Sequence, residues 1–210
     1  MSFVLPDMNC NLCSRLCEFR LNNKIKFPSY YNGPVPSFGE IDAEVLVVGL
    51  APGLHGANQT GRPFTNDYAG DILYPALKKA GLAKGNYLKK KDDGFELINV
   101  RITNAVRCVP PENKPITTEE KMCREFLKKE ISAMKNLKVI LCLGTISHKN
   151  VLAVFGAKQS AMKFKHGEVY ELDNKIKLID SYHTSRYNIN TGVLTEKMFD
   201  DVIFKIKGLI

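Results

Sequence analysis

A short apolar run that empties into a glycine-rich loop constrains this chain more than any other stretch. Val45-Leu46-Val47-Val48 is apolar on both faces of an extended chain, the pattern of a strand buried in a parallel sheet. Gly49-Leu50-Ala51-Pro52-Gly53-Leu54-His55-Gly56 follows, with three glycines and a proline in eight residues. Glycine lets backbone N–H groups approach a ligand closely and permits positive φ. In open α/β sheets, ligands bind where loops leave the C-terminal ends of central strands. The same glycine spacing also suits an ordinary strand-to-helix turn. The loop lacks a Gly-Lys-Ser/Thr ending and a G-x-G-x-x-G pattern, so neither nucleotide fingerprint is present. It continues through Arg62, Phe64, Asn66 and Asp67, side chains suited to phosphate contact, base stacking and polar chemistry.

The rest of the chain alternates strand and helix patterns. Apolar residues at helical spacing over 71–80 end at Gly81. Residues 95–106 alternate as a second strand, with Asn104 near its end. Thr117 and Glu120 have the spacing of a capping box, opening a helix to about Met134. Val139 to Leu143 reads as a third buried strand, followed by a helix capped by Thr145. Residues 163–172 and 176–182 read as the last strands, with Asn174 in the turn, and Thr195 opens a final amphipathic helix. Residues 22–44, rich in Lys, Pro, Tyr and Asn, read as a basic connecting loop. Alternation of this kind implies a parallel sheet between helical layers. The organising loop, Asn104 and His183 all fall just after strands, so one sheet edge brings them together.

At 210 residues the chain suits one α/β domain, and 44% apolar with 25% charged residues is ordinary for a globular protein. No apolar run approaches the ~20 residues of a membrane span. Pro6, Asp7 and Asn9 interrupt any signal-peptide pattern, so the expected location is cytoplasmic and no membrane partner is expected. A net charge of +8 points to a polyanionic partner, with nucleic acid foremost.

Four motifs in order carry a family resemblance: Gly-Leu-Ala-Pro-Gly at 49–53, Gly-Arg-Pro-Phe-Thr at 61–65, Asn104 in Thr-Asn-Ala-Val-Arg-Cys, and His183-Thr-Ser-Arg-Tyr-Asn188. Together with the cysteines they closely resemble the uracil-DNA glycosylase superfamily, and within it the type-5, iron–sulfur branch of bacteria and archaea. Type-4 enzymes are similar but carry a glutamate where Ala51 stands. The resemblance implies a three-layer αβα sandwich around a mostly parallel four-stranded sheet. One domain would span 1–210, with segment 1–44 tied on by a metal cluster. It also implies a monomeric, monofunctional DNA repair glycosylase. Such an enzyme hydrolyses the N-glycosidic bond of uracil, and of deaminated bases such as hypoxanthine or xanthine, leaving an abasic site. The alternatives are a type-4 activity restricted to uracil and a non-catalytic, metal-stabilised DNA-binding module on the same fold.

The resemblance assigns roles that the chemistry of each residue can support. An enzyme acting on a base in duplex DNA flips it into a pocket. Phe64 would stack on that base, and Asn104, with one donor and one acceptor group, would read its edge. Gly53 and His55 would contact the base or the adjacent phosphate. His183 would stabilise the departing anionic base, in the manner of an oxyanion hole. Asp67, the catalytic acid residue of the type-5 pattern, would stabilise the cationic sugar and orient water; a helix N-cap is its alternative reading. Arg62, Ser185, Arg186 and Tyr187 would contact DNA, the last two at the minor groove or in the gap left by the flipped nucleotide.

Cys10, Cys13, Cys108 and Cys123 match the family's four ligands to a [4Fe–4S] cluster. Four cysteines also suit tetrahedral zinc, although the second pair lacks the short spacing of a zinc knuckle. Cys17 reads as a small packed thiol and Cys142 as a core residue.

Overall fold

In the computed structural model, which describes residues 5–210, the run at 45–49 is the second of five strands in one sheet. The first four residues of the N-terminal segment lie outside the described residues. The sheet contains β1 (Val45–Gly49), β4 (Val100–Asn104), β5 (Val139–Leu143), β6 (Val169–Glu171) and β7 (Lys177–Ser181). Its order is β4-β1-β5-β7-β6. Four strands are parallel, and β6 closes one edge antiparallel to β7. The sheet thus has one strand more than the four expected. A small antiparallel pair, β2 (Ala83–Lys84) with β3 (Glu96–Leu97), splits the predicted 95–106 strand from its first residues.

Side-chain alternation sorts the core into two faces. Val45, Val47, Leu141 and Ile179 pack beneath α3 (Tyr68–Lys79) and α7 (Glu196–Lys207). Leu46, Val48, Ile140 and Leu178 pack beneath α4 (Thr117–Ala133) and α5 (Thr145–Val154). Helices therefore cover both faces, giving the three-layer α/β sandwich. Asp67 and Thr195 cap α3 and α7 with their side chains, as read from sequence. Among the described residues no helix is long and apolar enough to cross a membrane.

Three local expectations are corrected. Helix α4 begins one residue earlier than the Thr117 cap implies: Ile116 is the N-cap, and the Glu119 carboxylate accepts its N–H at 2.9 Å. Glu120 is instead buried, where it accepts from Asn150. Gly144, at φ 93°, takes the cap position before α5 that was assigned to Thr145. Finally, Ser14–Lys26 is a helix, α1, where cysteines and loop were expected. The segment after it is no solvated loop. Val35 is fully buried, its N–H bonds the Arg107 carbonyl at 2.8 Å, and Tyr31 packs against Gly61.

Arg62 is a fourth correction. It was expected on DNA, but only 3% of it is exposed. Its guanidinium forms a bidentate pair with Asp93 at 2.7 and 2.8 Å and lies over the rings of Phe38, Tyr74 and Tyr87. Its Nε donates to Thr65 at 2.7 Å. Burial alone would raise the Asp93 carboxyl; Arg62 and the N–H groups of Leu88 and Phe95 overcome this and hold it at about 2. Arg62 thus anchors the organising loop from beneath.

Two outcomes follow from this anchor. Arg62→Ala leaves Asp93 buried and unpaired, and is expected to lose about 3–5 kcal/mol in chemical denaturation. The depressed Asp93 pKa corresponds to about 2 kcal/mol of stability. That contribution is fully present above about pH 4 and lost as pH falls toward 2, so the stability gap between the parent chain and Asp93→Asn closes over that window.

Candidate active site

Glycine at residue 49 leaves room at the end of β1 for two side chains to meet. A Cβ there would overlap the Cζ of Phe64 and the Oδ1 of Asn104. Gly49 pairs in register with Asn104, the last residue of β4, so the two strands end level. Beyond this edge opens a cleft of about 690 Å³, within the usual range for small-ligand pockets. Gly53, His55, Phe64, Asp67, Asn104, His183, Ser185 and Arg186 all line it. Residues from four separated motifs therefore converge on one site, because parallel strands share a C-terminal edge.

Phe64 reaches the cleft at a cost. Its φ of 55° is rare for a bulky residue. The conformation is held from several sides. The Thr65 N–H bonds the Arg62 carbonyl at 3.2 Å, and the Tyr87 hydroxyl donates to the Phe64 carbonyl at 3.2 Å. Helix α3 passes so close at Gly70 that a Cβ there would overlap the same carbonyl. The ring lies 6.3 Å from that of His183, tilted by 32°. Asn104 is 3% exposed and faces the cleft, and among the described residues its amide has no hydrogen-bond partner. The amide is thus free to pair with a group that enters the cleft.

Asp67 fulfils both of its readings. Oδ1 accepts the Ala69 N–H at 3.3 Å as the cap of α3, while Oδ2 lies against the bare backbone of Gly53 and Gly56 on the cleft wall. It is the one carboxylate among the lining residues. His183 is held below the ordinary imidazole range by burial, partly offset by the Asp67 charge. Its ring is therefore neutral at pH 7 and available as an N–H donor. The surrounding motif is a scaffold for it. Asn188 donates to the His183 carbonyl at 2.8 Å, Thr184 to the Ala69 carbonyl at 3.2 Å, and Ser185 caps the short α6 (Arg186–Asn190).

His55 stands on the rim, its Nδ1 bonded to the Tyr30 hydroxyl at 3.0 Å. Arg186 is exposed and lies over Tyr68 at 5.1 Å. Tyr187 does not line the cleft; it projects into solvent, 73% exposed. The structure adds Tyr68 and Asn113 to the lining. Asn113 lies in Pro-Pro-Glu-Asn-Lys-Pro, a rigid exposed turn with no chemical signature of its own in the sequence.

Beside the cleft, Cys10, Cys13, Cys17, Cys108 and Cys123 line a second pocket with Leu16, Arg107 and Phe126. Burial and neighbouring thiols push Cys13 up to about 11 and Cys108 up to about 12. Donors already face two of the sulfurs: the Arg107 N–H lies 3.3 Å from Cys123 Sγ, and Arg20 Nη1 lies 3.5 Å from Cys108 Sγ. Cys17 donates to the Cys10 carbonyl at 3.2 Å, and Cys142 is fully buried in β5. Among the described residues no three His, Cys, Asp or Glu side chains close to single-ion spacing. Ala51 of the organising loop lines the cleft and packs against the apolar cluster that holds Cys108 and Cys123, so the two pockets adjoin.

Comparison with known proteins agrees with this geometry. Residues 36–207 match the family model of the uracil DNA glycosylase superfamily. The chain is 42% identical to the type-5 uracil-DNA glycosylase of Thermus thermophilus, over 99% of this chain and 97% of that protein. It is 40% identical to the type-5 enzyme of Pyrobaculum aerophilum, covering 96% and 89% of the two chains. Identity to the type-5 enzyme of Mycobacterium leprae is 37%, covering 98% and 95%.

The electrostatic coupling between Asp67 and His183 is open to direct test. Ring resonances of His183, followed by NMR against pH, are expected to titrate below the ordinary histidine value of about 6.5. Asp67→Asn removes the charge that raises this pKa and is expected to lower it further. An unchanged titration would mean that the two groups do not interact.

Proposed function

This chain belongs to the uracil DNA glycosylase superfamily, in its type-5 branch, and from that premise we propose that it excises uracil from DNA by hydrolysis of the N-glycosidic bond. The observation that carries the reading is the convergence of Phe64, Asn104, Asp67 and His183 on one cleft. The base leaves the stack and enters between these groups. Phe64 stacks on its face, and the unpartnered Asn104 amide meets its Watson–Crick edge. Breaking the bond from C1′ to the base leaves positive charge on the sugar and negative charge on the base. The neutral His183 ring donates an N–H to the base oxygen on which that negative charge collects. Asp67 Oδ2 stabilises the sugar cation and orients the water that adds to C1′. The water's second proton goes to solvent, and an abasic site remains.

No lysine lines the cleft among the described residues, so no amine attacks C1′ and the strand stays intact. With alanine at residue 51, the cleft wall is small and the reach extends to hypoxanthine and xanthine. Arg186, Ser185 and the exposed Tyr187 lie on the side that faces the duplex, and the charge of +8 favours its approach.

For the cysteine pocket, we propose that Cys10, Cys13, Cys108 and Cys123 hold a [4Fe–4S] cluster. The four cysteines line one apolar pocket, and N–H donors already face two of their sulfurs. The bound group would supply a covalent tie between the N-terminal segment and the loop after Asn104, and would hold these thiols deprotonated.

The experiment is excision from single- and double-stranded oligonucleotides carrying uracil, hypoxanthine or xanthine, with EDTA present and abasic sites cleaved chemically afterwards. Uracil and at least one deaminated purine are expected to be removed. Asp67→Ala and His183→Ala are each expected to slow excision by about 10²-fold or more while still binding DNA. Excision of uracil alone would remove the broader specificity. No excision by iron-replete protein would leave a DNA-binding relative without activity. Iron and acid-labile sulfide are expected at about four each per chain, and one zinc in their place would overturn the cluster assignment.

A further inference from the structure

His183 is held from both sides along the chain, and its own motif accounts for only one of them. After it, Asn188 donates to its carbonyl at 2.8 Å. Before it, the chain leaves β7 at Ser181 and passes through Tyr182. The Tyr182 N–H donates to Nδ1 of His166 at 3.2 Å. His166 stands outside all four motifs, in the turn that precedes β6. Its ring stacks on the Tyr182 ring, with centroids 4.9 Å apart and planes inclined by 14°. Both residues are half-buried.

The sheet explains why a side chain is needed there. Along β7, alternate N–H groups point to the β6 edge. The Asp180 N–H bonds the Glu168 carbonyl at 3.2 Å, and the Tyr182 N–H, two residues on, points the same way. By then the neighbouring chain has turned aside. Gly167 has a φ of 74°, and the Lys165 carbonyl accepts the Glu168 N–H at 3.0 Å. His166 Nδ1 therefore takes the place of a ladder carbonyl and keeps the Tyr182 N–H paired. The turn that carries it is fixed in its own right. Asp180 Oδ2 accepts the Lys165 N–H at 3.3 Å, Oδ1 meets His148 Nδ1 at 2.8 Å, and His148 Nε2 donates to the Met162 carbonyl at 2.9 Å. Accepting at Nδ1 requires that nitrogen to carry no proton. Burial holds the His166 ring below the ordinary imidazole range, partly offset by the Met198 backbone of α7, so the acceptor is present at pH 7.

We propose that His166 is a positioning residue for His183: by accepting the Tyr182 N–H it fixes the backbone step from which the His183 ring enters the cleft. The proposal rests on the glycosylase reading above, in which that ring donates to the departing base. His166 does not line the cleft, so it acts through one peptide and not on the substrate. A shift of that peptide carries the His183 N–H away from the base oxygen. Such a displacement costs rate more than binding, because the bond to that oxygen strengthens as the base leaves. With Asn188 on one side and His166 on the other, the imidazole is aimed before a base arrives.

The test measures kcat and KM for uracil excision, with thermal unfolding of each variant alongside. His166→Phe keeps an aromatic ring against Tyr182 and removes the acceptor. It is expected to lower kcat about ten-fold, the scale of one lost hydrogen bond, with KM near the parent value. His166→Asn places Oδ1 where Nδ1 stood, the same number of bonds from the backbone, and is expected to restore most of kcat. If His166→Phe does not fold, His166→Gln, with its acceptor one bond further out, takes its place under the same expectation. In a His183→Ala background, His166→Phe is expected to cost nothing more, since the group it aims is gone. Parent protein that excises uracil, with a folded His166→Phe at the parent kcat, would overturn the proposal and leave the glycosylase reading intact. His166→Asn no faster than His166→Phe would overturn the role of the acceptor. A full further loss in the His183→Ala background would mean that His166 does not act through His183. A parent chain that excises no uracil would remove the glycosylase reading and this proposal together.

Discussion

The bare backbone at Gly49 is the constraint on which the site depends. It lies at the end of the strand β1, where the loop departs and where β4 ends level with it. Only without a Cβ can the Phe64 ring and the Asn104 amide close over the same point. The buried strand sets the position of that point, and the glycine keeps it open. An aromatic ring and a side-chain amide meet there because two parallel strands end together.

Holding Phe64 in place requires more than the strand. A phenylalanine at positive φ costs on the order of 1–3 kcal/mol. The Arg62–Asp93 pair, caged by three aromatic rings, fixes the residue two positions before it. Tyr87 and helix α3 fix the Phe64 carbonyl itself. Asp67 then begins α3 with one oxygen and faces the cleft with the other. One short segment thus turns core stability into the geometry of an aromatic ring and a carboxylate at the cleft. Behind Ala51, the cysteine pocket and the Arg101–Glu130–Arg107 network fix the other side of the same loop system.

Much of this was legible in the sequence, and the exceptions share a cause. β5 and the capped α7 follow directly from apolar runs and spacing, since both bury apolar faces. α1 escaped notice because its buried face is Leu16, Arg20 and Asn23, two of them polar. Hydrophobic periodicity cannot register a helix that packs through arginine against thiols and carbonyls. Arg62 was misplaced for a related reason: an arginine in a glycine-rich motif reads the same whether it meets a phosphate or a buried aspartate 31 residues away. Glu119 and Glu120 are adjacent, and only tertiary partners, Arg15 for one and Asn150 for the other, decide which caps α4. The site residues were legible because their motifs each follow a strand. Asn113 was not, because its turn lies well beyond the end of β4 and outside the four motifs.

The most direct test of this account is Gly49→Ala, measured as single-turnover uracil excision beside thermal unfolding. The added Cβ meets only the ends of two side chains, so the fold should survive with a small change in melting temperature. Displacing Phe64 and Asn104 by about an ångström should slow excision by about 10²-fold. Excision at the parent rate from a folded Gly49→Ala protein would contradict the claim that this backbone gap forms the floor of the active site.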